Sequence, residues 1–106
     1  MAPRKTELDT DTIHETQSRE RFAPMYWVVM HNDPVTTMDF VVEILMKVFS
    51  LSFHVAEDLM YRIHYTGLAR IGLMPLERAE FKVETVHRAA RASGYPLTCT
   101  IEPEDV

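Results

Sequence analysis

The segment HNDPVTTM at residues 31–38 concentrates side chains that can bind a polar ligand. His31, Asn32 and Asp33 present an imidazole, an amide and a carboxylate in succession, and each can accept hydrogen bonds. Asn and Asp are also common in turns, because their side chains accept hydrogen bonds from nearby backbone amides. The segment therefore fits either a turn followed by a helix cap or the rim of a site for a charged ligand.

His64 is a second candidate for polar chemistry. It follows Met60 by one helical turn and lies beside the apolar stripe of a predicted helix. Such a histidine is usually an edge residue of the core, and spacing alone favours that interpretation. Alternatively, its ring accepts a hydrogen bond at the rim of an apolar pocket. Met38 and Met60 carry the same ambiguity, since methionine fills cores and also lines adaptable binding surfaces.

No catalytic or metal-binding motif emerges from the sequence. It lacks a G-x-S-x-G segment, and three glycines are too few for a phosphate-binding loop. Cys99 lies in an apolar strand pattern, which indicates an inert, packed thiol. The five histidines form neither H-x-x-x-H nor H-E-x-x-H. We therefore expect no enzyme, no metal and no cofactor; the alternative is a small hydrolase or metalloenzyme that brings together His31, Asp33 and His64.

Composition narrows the partners and the compartment. The chain has 11 basic and 16 acidic residues, which argues against a nucleic-acid partner because phosphates require a basic surface. A single cysteine indicates a reduced compartment. The N-terminal segment lacks the apolar run of a secretory signal, and no segment approaches the roughly 20 apolar residues of a membrane span. We expect a monomer in the cytoplasm that does not bind a membrane.

Six elements must position the candidate residues. Residues 1–23 are polar and predict a disordered tail, and residues 24–106 predict one folded domain. Within the domain, strand patterns (PMYWVVMHN, LARIGLM and LTCTIE) and helix patterns (TTMDFVVEILMKVFS, SFHVAEDLMYRIHYTG and PLERAEFKVETVHRAARASG) predict a small α+β domain of order β-α-α-β-α-β. Thr36 or Thr37 is expected to cap the first helix and Ser52 the second, Gly67 to end the second, and Gly72 to mark a bulge or a close approach.

Helical periodicity also predicts which residues are buried. The apolar stripes comprise Met38, Val41, Leu45 and Val48 in the first helix, Val55, Ala56, Leu59, Met60 and Ile63 in the second, and Leu76, Ala79, Val83, Val86 and Ala90 in the third. On the third helix, Glu77, Arg78, Phe81 and Lys82 lie outside the stripe. These four residues can share an exposed patch that either is solvated or docks a partner.

Four segments together resemble the ClpS family, the bacterial and plastid adaptors of the Clp AAA+ protease. They are MYWVVMHNDPVTTMDFV, DLMYRIHYTGLARIG, ERAEFKVETV and PLTCTIE, and the resemblance runs in register from Pro24 to Glu102. It implies three helices packed on a three-stranded antiparallel sheet. It also implies a non-enzymatic adaptor that binds N-degron (N-end rule) substrates by a bulky N-terminal Leu, Phe, Tyr or Trp and delivers them to an unfoldase of the ClpA or ClpC type.

The resemblance assigns roles to residues of this chain. Asn32 and His64 match the family positions that bind the substrate's α-amino group, and Asp33 is expected to contribute to the same site. The hydrophobic pocket is expected to comprise Met30, Thr36, Met38, Val41, Met60, Ile63 and Leu97, with Met38 as its gate. Glu77 and Lys82 match positions that contact the N-terminal domain of the unfoldase.

Pro34 departs from the family pattern. Many relatives carry a second aspartate at this position, and its carboxylate also holds the α-amine. Losing a charge-assisted acceptor could weaken binding by about 1.5–3 kcal/mol. The side chain of Asp33 could compensate for the lost carboxylate if it turns toward the amine site. The alternative function is a Clp regulator or inhibitor that occupies the unfoldase without selective N-degron binding.

Overall fold

Three helices pack on a three-stranded antiparallel sheet, as predicted. The computed structural model describes residues 23–104. Its elements are β1 (Met25–His31), α1 (Met38–Phe49), α2 (Phe53–Thr66), β2 (Leu68–Pro75), α3 (Leu76–Ala92) and β3 (Thr98–Pro103), in the predicted β-α-α-β-α-β order. Except for Ala23, the predicted disordered tail lies outside the described residues. No helix in the described part of the chain is long and apolar enough to cross a membrane.

The first strand occupies the centre of the sheet, whose order is β2-β1-β3. Val28 lies opposite Gly72, but its neighbour Val29 lies opposite Arg70, so Ile71 is an extra residue in β2. The predicted bulge at Gly72 is therefore confirmed. A Cβ at Gly72 would lie 2.9 Å from Cε of Met74, which is the flexible end of a side chain and could move aside.

Side-chain caps determine where the first two helices begin. Thr37, rather than Thr36, caps α1, and its hydroxyl accepts a hydrogen bond of 3.2 Å from the amide of Phe40. Ser52 caps α2, and Gly67 ends it with a φ of 97°, a conformation that disfavours residues with a Cβ. These residues fix both ends of the helix that carries His64.

Most of the predicted stripes form one continuous core, but three positions were predicted wrongly. Met38, Val55 and Leu76 are 39%, 46% and 40% exposed. All three lie in the first turn of their helices, and helical periodicity does not indicate where along a helix its packing partners begin. In α1, Ile44 is buried in addition to the predicted Val41 and Leu45.

The edge strand β3 is attached to α3 through His87. The backbone amide of Cys99 donates a 2.9 Å hydrogen bond to Nε2 of His87, so this nitrogen must be unprotonated. Burial, together with the positive charge of Arg91, lowers the pKa of His87 below its ordinary value. Burial also raises the pKa of the Cys99 thiol to about 12, so this side chain stays protonated at neutral pH.

This attachment makes stability depend on pH. As the pH falls below about 6.5, the unfolded chain binds a proton at His87 before the folded chain does, and the free energy of unfolding decreases. His87→Gln keeps an acceptor for the Cys99 amide but cannot be protonated. We expect the variant to lose less stability than the native chain between about pH 7.5 and 5.5, measured by chemical denaturation. Parallel curves for the two proteins would contradict the assignment.

Candidate ligand-binding site

The end of β1 and the end of α2 meet at the predicted polar segment. The amide of Asn32 donates a 2.8 Å hydrogen bond to the carbonyl of Gly67, and the adjacent His31 is paired with Leu68 in the sheet. His64 lies in the last turn of α2, just before Gly67. The two residues predicted to bind an amine, Asn32 and His64, therefore flank one junction, and both are exposed.

The carboxylate of Asp33 organises the loop that follows. Oδ1 accepts hydrogen bonds from the amides of Val35 and Thr36 at 2.9 and 2.7 Å, and Oδ2 accepts one from the hydroxyl of Thr36 at 2.6 Å. Burial alone would raise the pKa of Asp33, but these hydrogen bonds and the charge of Arg91 outweigh it, so the pKa lies below its ordinary value. The carboxylate is thus ionised and already bonded to its own loop; a direct bond from Asp33 to a ligand amine stays a prediction.

Five of the seven residues predicted to form the hydrophobic pocket belong to the main core. They lie on β1, on α1, on α2 and in the segment before β3, and each is at most 6% exposed. These core residues are Met30, Val41, Met60, Ile63 and Leu97. These side chains are packed in one buried apolar cluster, to which both elements of the junction, β1 and α2, contribute. Their role in binding a ligand stays a prediction.

The two remaining residues of the predicted pocket lie nearer the surface. Thr36 is half-buried and bonded to Asp33. Met38 is the first residue of α1 and is 39% exposed, directly after the capping residue Thr37. The roles of Thr36 and Met38 in a pocket stay predictions.

The exposed surface of α3 differs from the prediction at one residue. Glu77, Arg78 and Phe81, with Pro75, line a shallow depression of about 420 Å³, and Phe81 is 66% exposed. Lys82 does not share this surface, because its ammonium donates a 2.7 Å hydrogen bond to the carbonyl of Val48 at the end of α1. The prediction of one exposed patch containing all four residues is therefore wrong for Lys82.

The residues considered for a metalloenzyme do not form a metal site. Within residues 23–104, no group of three or more His, Cys, Asp and Glu side chains is placed to hold a metal ion. Nε2 of His31 instead lies 2.7 Å from the hydroxyl oxygen of Thr100 on β3, and the carboxylate of Asp33 bonds to its own loop. The ring of His64 packs edge-on against that of Tyr65, with centroids 5.0 Å apart, so the three residues of that hypothesis have separate local contacts.

Comparison with known proteins agrees with the family resemblance. The sequence model described as "ATP-dependent Clp protease adaptor protein ClpS" matches residues 21–100. The chain belongs to the ClpS family. It is 43% identical over 104 residues to the ATP-dependent Clp protease adapter protein ClpS of Desulfotalea psychrophila, covering 98% of this chain and 100% of the relative. It is 44% identical over 89 residues to the ClpS of Lawsonia intracellularis, covering 84% and 82%.

A solved structure supports the same fold. The structure of Agrobacterium tumefaciens ClpS2 bound to L-phenylalaninamide superimposes with a TM-score of 0.74 at 31% identity. The match covers 76% of this chain and 98% of ClpS2. The family resemblance predicted from four sequence segments is therefore confirmed, as is the arrangement of three helices on three antiparallel strands.

The contacts of Asp33 generate a prediction about stability. Asp33→Ala removes the acceptor of two backbone amides, so we expect the free energy of unfolding to decrease by about 1–2 kcal/mol. Asp33→Asn keeps one acceptor oxygen and should lose less. Asp58→Ala, at an exposed position on α2, is the control and should change stability by less than about 0.5 kcal/mol. Equal stability of Asp33→Ala and the native chain, measured by urea denaturation, would refute the role of this carboxylate.

Proposed function

We propose that this chain is a non-enzymatic adaptor that binds N-degron substrates and delivers them to a Clp unfoldase–protease in the cytoplasm. The observation that carries the proposal is the similarity to ClpS2 bound to L-phenylalaninamide, a ligand with a free α-amine and an aromatic side chain. ClpS-family membership supports it, as does the polar junction of β1 and α2, two elements that also contribute to the buried apolar cluster. The adaptor is proposed to act as a monomer without a cofactor.

The amine end of the substrate would be bound at the junction of β1 and α2. An α-ammonium group has three N–H donors, and the amide oxygen of Asn32 and an unprotonated ring nitrogen of His64 are suitable acceptors. Both side chains are exposed, and the bond from Asn32 to Gly67 fixes their backbones relative to each other. The ionised carboxylate of Asp33 adds negative charge beside the same site, which favours a cation.

The side chain of the N-terminal residue would enter the apolar cluster beneath this junction. Burying a Leu or Phe side chain there stabilises the complex by roughly 1.5–3 kcal/mol. Met30, Met60 and Leu97 would contact the side chain, while Met38 would adjust at the opening. A side chain branched at Cβ would conflict with a narrow opening, so N-terminal Val should bind weakly compared with Leu or Phe.

A panel of labelled peptides tests this proposal. Peptides that begin with Leu, Phe, Tyr or Trp should bind more tightly than peptides that begin with Val or Ala, as measured by fluorescence anisotropy. Acetylation of the N-terminus should abolish binding. Equal binding across the panel would overturn the proposal.

Two substitutions locate the amine site. Asn32→Ala and His64→Ala each remove an acceptor for a cation, so we expect binding to weaken by about 10- to 100-fold, equivalent to roughly 1.4–2.8 kcal/mol. His54→Ala is the matched control, because His54 is exposed at the opposite end of α2. Unchanged affinity in both Asn32→Ala and His64→Ala would remove these residues from the site.

The α3 surface would contact the N-terminal domain of a ClpA- or ClpC-type unfoldase. Glu77 and Phe81 present a carboxylate and an exposed ring beside one depression, which suits a partner with both basic and apolar groups. Lys82, which the resemblance also assigns to this contact, would first have to be released from the Val48 carbonyl or act by fixing the helix.

Charge reversal separates this contact from substrate binding. Glu77→Lys should weaken unfoldase binding at least about tenfold, equivalent to roughly 1.4 kcal/mol, while leaving peptide affinity unchanged. Glu84→Lys, two turns further along α3 in an exposed pair with Arg88, is the control. Surface plasmon resonance with ClpA- and ClpC-type N-terminal domains measures the effect, and equal behaviour of the two variants would contradict the assignment.

Pro34 favours one alternative function. The family resemblance places an aspartate at this position in many relatives, where its carboxylate holds the α-amine. Without that carboxylate, the chain would be a Clp regulator that binds the unfoldase but does not select N-terminal residues. Unfoldase binding combined with absence of selectivity in the peptide panel would support this alternative over the adaptor.

A further inference from the structure

We infer that Arg91 and Tyr95 are positioning residues that determine which N-terminal side chains the proposed pocket accepts. They control the connector between α3 and β3, residues 93–97, from which Leu97 enters the pocket. The inference rests on the proposed N-degron function and adds determinants of specificity to it. Neither residue belongs to the amine site or to the predicted pocket wall.

Arg91 holds the connector through two backbone carbonyls. Its Nη1 donates hydrogen bonds of 2.8 Å to the carbonyl of Tyr95 and 3.0 Å to the carbonyl of Leu97. Leu97 lies immediately before β3, and the pairing of β1 with β3 begins one residue later, at Thr98. The position of Leu97, which is 1% exposed, is therefore set by the guanidinium group at its own carbonyl.

Tyr95 joins the connector to the start of α1. Its ring packs against that of Phe40, with centroids 4.8 Å apart and ring planes inclined at 57°. Its hydroxyl oxygen lies 3.5 Å from the hydroxyl of Thr37, the residue that caps α1. Met38 follows this cap directly, so the connector supports the helix turn that carries the proposed gate.

The two contacts therefore link opposite parts of the proposed pocket. Leu97 lies in its buried part and Met38 at its exposed opening, and both depend on one connector of five residues. The positive charge of Arg91 also acts on Asp33, which lies in the loop that joins β1 to α1 and leads to Met38. Displacement of the connector would change the depth and the opening together, which alters selectivity between side chains and not only the strength of binding.

The test compares two peptides that differ only in an N-terminal Leu or Trp. Loss of the constraint leaves space around the smaller side chain, because the larger ring can still fill a widened pocket. In Arg91→Met, we expect affinity for the Leu peptide to fall about tenfold and affinity for the Trp peptide to fall distinctly less. Tyr95→Leu should shift the ratio in the same direction, whereas Tyr95→Phe keeps the ring contact and should resemble the native chain.

Arg88→Met is the matched control, since Arg88 lies on the same helix and forms an exposed pair with Glu84. A purely structural role would lower the stability of the protein or lower its affinity for both peptides equally. Anisotropy is therefore measured at a temperature at which circular dichroism shows that each variant is folded. If the variants have the same ratio of Trp-peptide to Leu-peptide affinity as the native chain, the inference is overturned. If Arg91→Met does not fold, Tyr95→Leu alone provides the test. If the native chain itself shows no selectivity, the proposed function fails instead.

Discussion

The hydrogen bond from the amide of Asn32 to the carbonyl of Gly67 joins the end of the central strand to the end of α2. Because β1 pairs with both other strands, its position is fixed by two ladders. The left-handed conformation of Gly67 ends α2 at the place where its carbonyl can accept this bond. This contact and the adjacent pairing of His31 with Leu68 set the relative position of Asn32 and His64, and with it the proposed amine site.

The third helix fixes the remaining parts of the domain through three polar side chains. Lys82 bonds to the carbonyl of Val48 at the end of α1, His87 accepts from the amide of Cys99 on β3, and Arg91 holds the connector before that strand. The partners are backbone groups at the end of a helix, on an edge strand and in the connector, so these contacts satisfy groups that would otherwise be costly to bury. The helix proposed to contact the unfoldase thus also supports the segment that carries Leu97, one of the residues proposed to form the pocket.

These contacts suggest how one small domain separates two proposed binding surfaces. The exposed residues Glu77 and Phe81 lie in the first half of α3, whereas Arg91 lies in its last turn, near the connector and the loop of Asp33. Substrate and unfoldase would therefore occupy different ends of the same helix. A rigid helix between them is compatible with simultaneous binding of both partners, as delivery by an adaptor requires.

Local patterns along the chain were sufficient to predict all six elements, the Ser52 cap, the end of α2 at Gly67 and the ClpS family. These features depend on periodicity, capping chemistry and motif order, which are properties of neighbouring residues. The contacts of Lys82, His87 and Arg91 could be identified only from the folded structure. Each joins a side chain to a backbone group in another segment, and every residue has the same backbone groups, so the sequence does not indicate which one is the partner. The same reason explains why HNDPVTTM remained ambiguous: Asp33 closes its own loop, as turn chemistry suggests, while the bond from Asn32 to Gly67 places that loop beside His64.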